Sequence, residues 1–311
     1  MVEREENRMV GILWVLLATA LFTIVFASGR FADGAVHGFQ IVFLRYASGL
    51  ATVVLLGLFG RDGPAVLISP RPWPHLGRAL LGGLGGSCFI QGSAMLPLAH
   101  ATAVGLLEGV FTVLLGILLL GERVNWIRWI GVGISLVGGA IAVSAGGDLS
   151  GLFNGGAENL GILFPLVGAV LIAGENIMIR ILSRGTEYRL AILFHVNLFG
   201  LMILAPLAAW VWVTPDWTVV VLFLCLGPLA IMAQYCNLRG FMVTEVSILG
   251  PIGYSWLIFA ALLGWLAFAE VPKAGTWIGG VLIVLGGTLL ALSGRWKRSR
   301  TAARTAGRVS P

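Results

Sequence analysis

Apolar residues along this chain come in long unbroken runs, with neither the alternation of a strand nor the single stripe of a surface helix. A helix that crosses a bilayer needs about 20 mainly apolar residues. Ten such runs follow one another, at approximately 9–27, 40–58, 76–96, 101–120, 126–144, 160–182, 190–213, 217–238, 247–268 and 277–292. The connections are short, which leaves no room for a soluble domain. The pattern predicts an all-α integral membrane protein with ten transmembrane helices. A β-barrel does not fit, because its strands alternate over about ten residues and lipid accepts only helices or closed barrels. Glu3, Glu5 and Glu6 precede the first run and nine runs follow it, so it reads as a span and not as a cleaved leader.

Composition narrows the function classes. Of the 311 residues 58% are hydrophobic and only 11% charged, against roughly a quarter charged in soluble proteins, and the mean hydropathy is +0.95. Neither a water-soluble surface nor a disordered chain can be made from this material. Cys88, Cys225 and Cys236 are far apart in apolar runs and match no disulfide framework or metal-ligand spacing. With the N-terminus in the cytoplasm, all but three of the 20 basic residues fall at the cytoplasmic side. The exceptions are Arg30 and Lys273 outside and Arg45 within a span. The positive-inside rule therefore puts both termini in the cytoplasm. The basic tail at 295–311 reads as a neighbour of anionic membrane lipid, not of nucleic acid.

The chain repeats itself at a spacing near 150 residues. Gly11-Ile12-Leu13-Trp14 leads to Arg30 as Gly161-Ile162-Leu163-Phe164 leads to Arg180. Leu114-Leu115-Gly116, Glu122, Trp129-Ile130-Gly131 and Gly138-Gly139 recur 148 residues later as Leu262-Leu263-Gly264, Glu270, Trp277-Ile278-Gly279 and Gly286-Gly287. The halves are 1–149 and 150–294. Five spans is an odd number, so the copies enter the membrane from opposite sides. Inverted repeats of this kind build secondary carriers, with the substrate near the midplane between halves. Glycine, 44 residues in all, adds small faces such as Gly82 with Gly86 and Gly131 with Ser135 and Gly139. These serve static packing or a sliding interface.

Leu119-Leu120-Gly121-Glu122 followed by Trp129-Ile130-Gly131, with its echo at Phe268-Ala269-Glu270 and Trp277-Ile278-Gly279, resembles the drug/metabolite transporter superfamily and within it the EamA-type group. Phe43-Leu44-Arg45-Tyr46 and Ala101-Thr102-Ala103 fit the same resemblance, which covers about residues 9–293. It implies a ten-helix carrier with cytoplasmic termini, for amino acids, amines, carboxylates, nucleosides, or riboflavin- or S-adenosylmethionine-like compounds. The chain departs at Glu108-Gly109, where a family member often has proline, so no kink carries over into span four. Pro251 carries one in the second half.

An ionisable residue inside a span costs about 2.5–3.5 kcal/mol on insertion scales and is a functional candidate by default. Glu108, mid-span with Thr112 and Gly116 on its face, is a candidate proton carrier or partner for a substrate amine, or a hydrogen-bonded structural acid. Glu175 and Asn176 serve substrate or coupling, or interhelical bonding. Arg45 could hold a carboxylate or phosphate by its fork, snorkel, or pair with Glu108. His195 is a proton-coupling candidate or a satisfied interfacial histidine. Gln91, Gln234, Asn237, Tyr254 and Trp256 are neutral candidates, the aromatics suiting a planar substrate or core packing. Glu122 and Glu270, each in a turn before the next helix, read as partners of a helix N-terminus.

The leading reading is a secondary transporter of a small organic metabolite working by alternating access, proton-coupled or exchanging. It has no cofactor, metal or catalytic residue, and it is a monomer or a homodimer. The alternative is a membrane-embedded enzyme such as a lipid-group transferase. Such chemistry uses paired carboxylates for a metal or a nucleophile with a positioned base, and no Asp-x2-Asp, His-Glu-x2-His or Gly-x-Ser-x-Gly motif occurs, nor does a phosphate-binding loop for direct ATP drive.

Overall fold

The computed structural model describes residues 2–60, 63–121, 126–146, 157–182, 188–243 and 252–289, and the regular elements among them are helical. Pro251, Glu122, the junction at 149–150 and the tail at 295–311 lie outside these residues. The helices are α1 (Val2–Phe26), α2 (Ser28–Phe31), α3 (Gly38–Phe59), α4 (Trp73–Met95), α5 (Leu98–Gly105) and α6 (Glu108–Leu120) in the first half. The first half closes with α7 (Trp126–Gly146), and the second holds α8 (Ala157–Leu182), α9 (Arg189–Trp210), α10 (Trp217–Val243), α11 (Trp256–Phe268) and α12 (Ala274–Leu289). Among the described residues six helical stretches are long and apolar enough to cross a membrane, and α11, α12 and the 129–145 part of α7 are shorter apolar helices. The chain is a multi-pass membrane protein. Six of the 23 residues of α4 are glycine, and it also carries His75 and Arg78, which leaves it outside the six.

Local chemistry sets several of the helix ends. At the start of α3, His37 Nδ1 accepts from Phe39 N (3.2 Å) and Gln91 Oε1 from Gly38 N (2.8 Å). Two of the backbone donors exposed at a helix start are thus satisfied, and Gln91 is used there. Helix α6 ends at Gly121 in the left-handed region (φ 64°). Its counterpart 148 residues later, Ala269, ends α11 the same way (φ 54°) without glycine's freedom.

Span four has no proline, yet its helix breaks. Between α5 and α6 the residues Leu106–Leu107 form a tight turn, with Leu107 N donating to Val104 O (3.1 Å) and Gly109 N to Leu106 O (3.3 Å). The second half breaks 148 residues later at Tyr254–Ser255, where Ser255 N donates to Ile252 O (2.9 Å) and Leu257 N to Tyr254 O (3.2 Å). Glu108 and Trp256 are the first residues after these two breaks.

Lipid offers no hydrophobic drive between helices, so close backbone approach and small residues decide the packing. Helices α4 and α8 run antiparallel: Gly85 lies against Leu171 and Ile172, and Gly92 against Pro165. Helices α1 and α10 meet at Gly240, which lies against Val15 and Gly11. Helix α3 meets α9 where Gly49 faces Asn197, and α10 where Gly227 meets Ser48. The last helices of the two halves make reciprocal contacts, Gly138 with Gly279 and Gly131 with Gly286. Between them Ser135 Oγ donates to Ile283 O (3.3 Å), a bond between residues 148 apart and therefore between a position and its own repeat counterpart.

Candidate functional site

A cavity of about 380 Å³ lies between α1, α3, α4 and α6 of the first half and α8, α9, α10 and α11 of the second, within the size range of small-molecule sites. Both halves supply its polar groups: Thr19, Arg45, Tyr46, Arg78 and Glu108 from one, Glu175, Asn176, Gln234 and Asn237 from the other. Phe22, Phe26 and Trp256 line it with aromatic surface. Trp256 packs at a tilt against Phe26 (5.3 Å between ring centres) and Phe89 (4.8 Å), which is fully buried.

The four charged side chains are not equivalent. Arg78 Nε sits 3.2 Å from Glu175 Oε1, an ion pair in which both side chains are mostly buried. Gly82, one helical turn on from Arg78, leaves the space that the Glu175 carboxylate fills. The Arg45 guanidinium stacks 4.3 Å from the centre of the Tyr46 ring, a cation–π contact. Its Nε is buried and has no hydrogen-bond partner among the described residues. Glu108 opens α6, and its carboxyl makes no hydrogen bond among the described residues. One cation and one acid thus cancel each other, while Arg45 and Glu108 line the cavity with no ion-pair partner among the described residues. Asn176 Nδ2 reaches Thr112 Oγ1 at 3.4 Å, which ties α8 to α6 beside the carboxyls.

Three of the candidate residues lie elsewhere: Gln91 at the start of α3, Tyr254 and His195. Tyr254 is outside the cavity lining, and its hydroxyl packs against Gly109 and Gly287, between α6 and α12. Any side chain at Gly287 would occupy the hydroxyl's place. His195 is also outside the lining. Its Nδ1 lies 2.9 Å from Ala191 O, and its ring packs at a tilt near His75 (5.8 Å) and Phe199 (6.0 Å). Glu270 does meet a helix N-terminus, but that of α5 and not of the helix that follows it: Oε2 accepts from Leu98 N (2.8 Å) while Oε1 pairs with Arg30. Among the lining residues Thr19, Phe22, Phe26, Tyr46 and Arg78 were not expected. The signal available for Arg78 was its place two residues inside the third apolar run, where an arginine is costly.

Gly82 gives a direct test of the Arg78–Glu175 geometry. The three atoms nearest to a methyl there all belong to the Glu175 carboxylate, the end of a flexible side chain, so Gly82→Ala is expected to keep the fold and push the carboxylate off Arg78. Transport should drop, with apparent stability in detergent changed by less than about 1 kcal/mol. Flux at the parent's level would mean that the ion pair's geometry does not matter.

The sequence profile of the EamA-like transporter family matches residues 9–144 and again 159–292. The S-adenosylmethionine uptake transporter of Rickettsia prowazekii is 25% identical over 277 residues, 88% of this chain and 90% of that protein. The riboflavin transporter of Rhizobium johnstonii is 27% identical over 306 residues, 96% of each chain. The pseudopaline exporter CntI of Pseudomonas aeruginosa is 28% identical over 281 residues, 88% of this chain and 93% of that one. A chain solved by crystallography shares the fold, with a TM-score of 0.62 and 23% identity over 94% of this chain and 99% of its own. With the family profile matched once in each half of a helical membrane protein, the chain belongs to the EamA-like transporter family.

Proposed function

We propose that the protein is a ten-helix secondary carrier of the cell inner membrane that moves a small organic metabolite by alternating access through this cavity. Its two five-helix repeats, 1–149 and 150–294, are inverted, its termini are cytoplasmic, and 295–311 is a basic cytoplasmic tail. The observation that carries the reading is the cavity itself, which both halves enclose and which holds opposed charges beside an aromatic wall. The inversion is supported by the reciprocal glycine contacts of α7 and α12, whose order reverses along the two helices. Two equivalent helices that meet antiparallel at their own counterparts are related by a two-fold axis between them.

The substrate class is an amino acid, an amine, or a riboflavin- or S-adenosylmethionine-like compound. Arg45 meets an anionic group, Glu108 a cationic group or a proton, and Trp256 a planar part. Asn176 and Gln234 supply neutral hydrogen bonds. Tyr254 acts by fixing the break before Trp256. Coupling rests on Glu108 and Glu175, because His195 lies away from the cavity. The relatives named for S-adenosylmethionine uptake and riboflavin transport support this range.

The test is flux into proteoliposomes of radiolabelled S-adenosylmethionine, riboflavin and a set of amino acids and amines. Saturable uptake of at least one compound is expected. Glu175→Gln keeps an oxygen for Arg78 but loses the charge, and should reduce that uptake by about tenfold. No movement of any compound by folded protein would overturn the reading, and parent-level uptake in Glu175→Gln would remove that residue from it.

A further inference from the structure

The cavity stops abruptly at one end. Its lining runs along α1 from Val15 to Phe26 and along α4 from Arg78 to Ile90, and there meets Trp256. Past Phe26 the chain is tightly packed. Ala27 and Ser28 are fully buried, Ser93 Oγ donates to Phe26 O (2.8 Å), and Gly29 abuts the Ile90 carbonyl with no room for a side chain. On the far side of this packing Arg30 Nε meets Glu270 Oε1 at 2.7 Å. The Arg30 guanidinium also lies over Phe268 (5.7 Å), and Phe31 packs at a tilt against the same ring (4.9 Å). Glu270 Oε2 holds Leu98 N.

Two segments of the first half, α2 and the start of α5, are thereby clamped to the end of α11 in the second. The described ion pairs are two, and each joins one half of the chain to the other. Arg78–Glu175 lies in the cavity; Arg30–Glu270 lies beyond its closed end. Glu270 reaches this place because Ala269 holds a left-handed conformation that a non-glycine residue adopts only under constraint from its surroundings.

Resting on the carrier reading above, we propose that the Arg30–Glu270–Leu98 junction is the latch that closes the cavity on the side away from the N-terminus. Opening to that side requires the two halves to part there, and this junction is what the parting breaks. The Arg30 side chain is 31% exposed and that of Glu270 12%, so water can take over each group as the halves separate. With water already at the arginine side, the pair can be rehydrated as the halves part and can re-form as they meet again.

The test follows access to the cavity and needs no substrate. In a chain with Cys88, Cys225 and Cys236 replaced by alanine, Thr19→Cys places a thiol on the cavity wall. A membrane-impermeant maleimide is then added to either side of sealed vesicles whose orientation is read from an N-terminal tag. Arg30→Gln and Glu270→Gln are each expected to speed labelling from the far side by about tenfold, with the double variant no faster than either single one, as expected for one shared interaction. Parent-level labelling in both folded single variants, or effects that multiply in the double variant, would overturn the latch. If the glutamine variants do not fold, Arg30→Lys decides. It keeps the charge without the planar fork and should speed far-side labelling by about twofold or more; parent-level labelling in Arg30→Lys also overturns the proposal. Parent-level labelling together with intact metabolite flux would reject the latch and leave the carrier standing.

Discussion

Glu108→Gln is expected to reduce metabolite flux by about ten- to a hundredfold while leaving the amount and the thermal stability of folded protein unchanged. The substitution keeps the size and shape of the side chain. Because the carboxyl makes no hydrogen bond among the described residues, no packing partner is lost. What disappears is the capacity to take up a proton or to meet a substrate cation. A hydrogen bond to a charged group is worth about 1.5–3 kcal/mol, and that range sets the predicted loss. The second acid in the cavity cannot substitute, since Glu175 is already committed to Arg78. The position of Glu108 sharpens the expectation. It follows the break at Leu106–Leu107 and so sits at the start of a half-helix, where unsatisfied backbone donors favour negative charge. Flux measured in proteoliposomes, with folded protein scored by size-exclusion chromatography and thermal unfolding, checks the prediction. Parent-level flux would remove Glu108 from the mechanism.

The repeat was legible because it is written in residue types that have few substitutes. Glycines at close helix contacts and the Glu–Trp-Ile-Gly run recur 148 residues apart, and the same offset reappears in the structure as Gly121 with Ala269 and Ser135 with Ile283. Arg45, Glu108, Glu175, Asn176, Gln234 and Trp256 stood out as polar or amphipathic residues in apolar runs, and the structure brings these six to one cavity. The break in span four did not stand out. Two leucines carry no turn signal, and only its counterpart at Tyr254–Ser255, shortly after a proline, hints at it. Phe22 and Phe26 were invisible for a related reason: in a membrane span an aromatic facing a cavity and one facing lipid look alike. Arg78 was hidden by its closeness to the span end, where the charge rule absorbs it as a loop residue. Tyr254 and Trp256 differ by two positions, and the turn between them sends one to the α6–α12 interface and the other to the cavity.

Gly286→Val is expected to cost the protein its assembled structure, by a different route from any substitution in the cavity. No described residue of α7 or α12 lines the cavity, and the two helices pack on each other where Gly138 meets Gly279 and Gly131 meets Gly286. A side chain at Gly286 would stand 2.5 Å from the Gly131 carbonyl oxygen and 2.8 Å from Ser135 N. Both are helix backbone, which cannot turn aside as the end of a glutamate can. The helices must separate, and separation takes with it the Ser135–Ile283 bond and the facing Gly138–Gly279 contact. Overpacking typically costs about 1–3 kcal/mol, and here the displaced element is a whole helix at the junction of two repeats. Gly286→Ala is therefore expected to lower the apparent stability in detergent by about 2 kcal/mol, and Gly286→Val to yield little monodisperse protein. Gly133 supplies the control on the same pair of helices: nothing lies within 4 Å of a side-chain carbon there, so Gly133→Ala should melt with the parent. If Gly286→Val melts like Gly133→Ala and transports normally, the two halves are not joined through α7 and α12, and the two-fold relation drawn from their contacts falls with it.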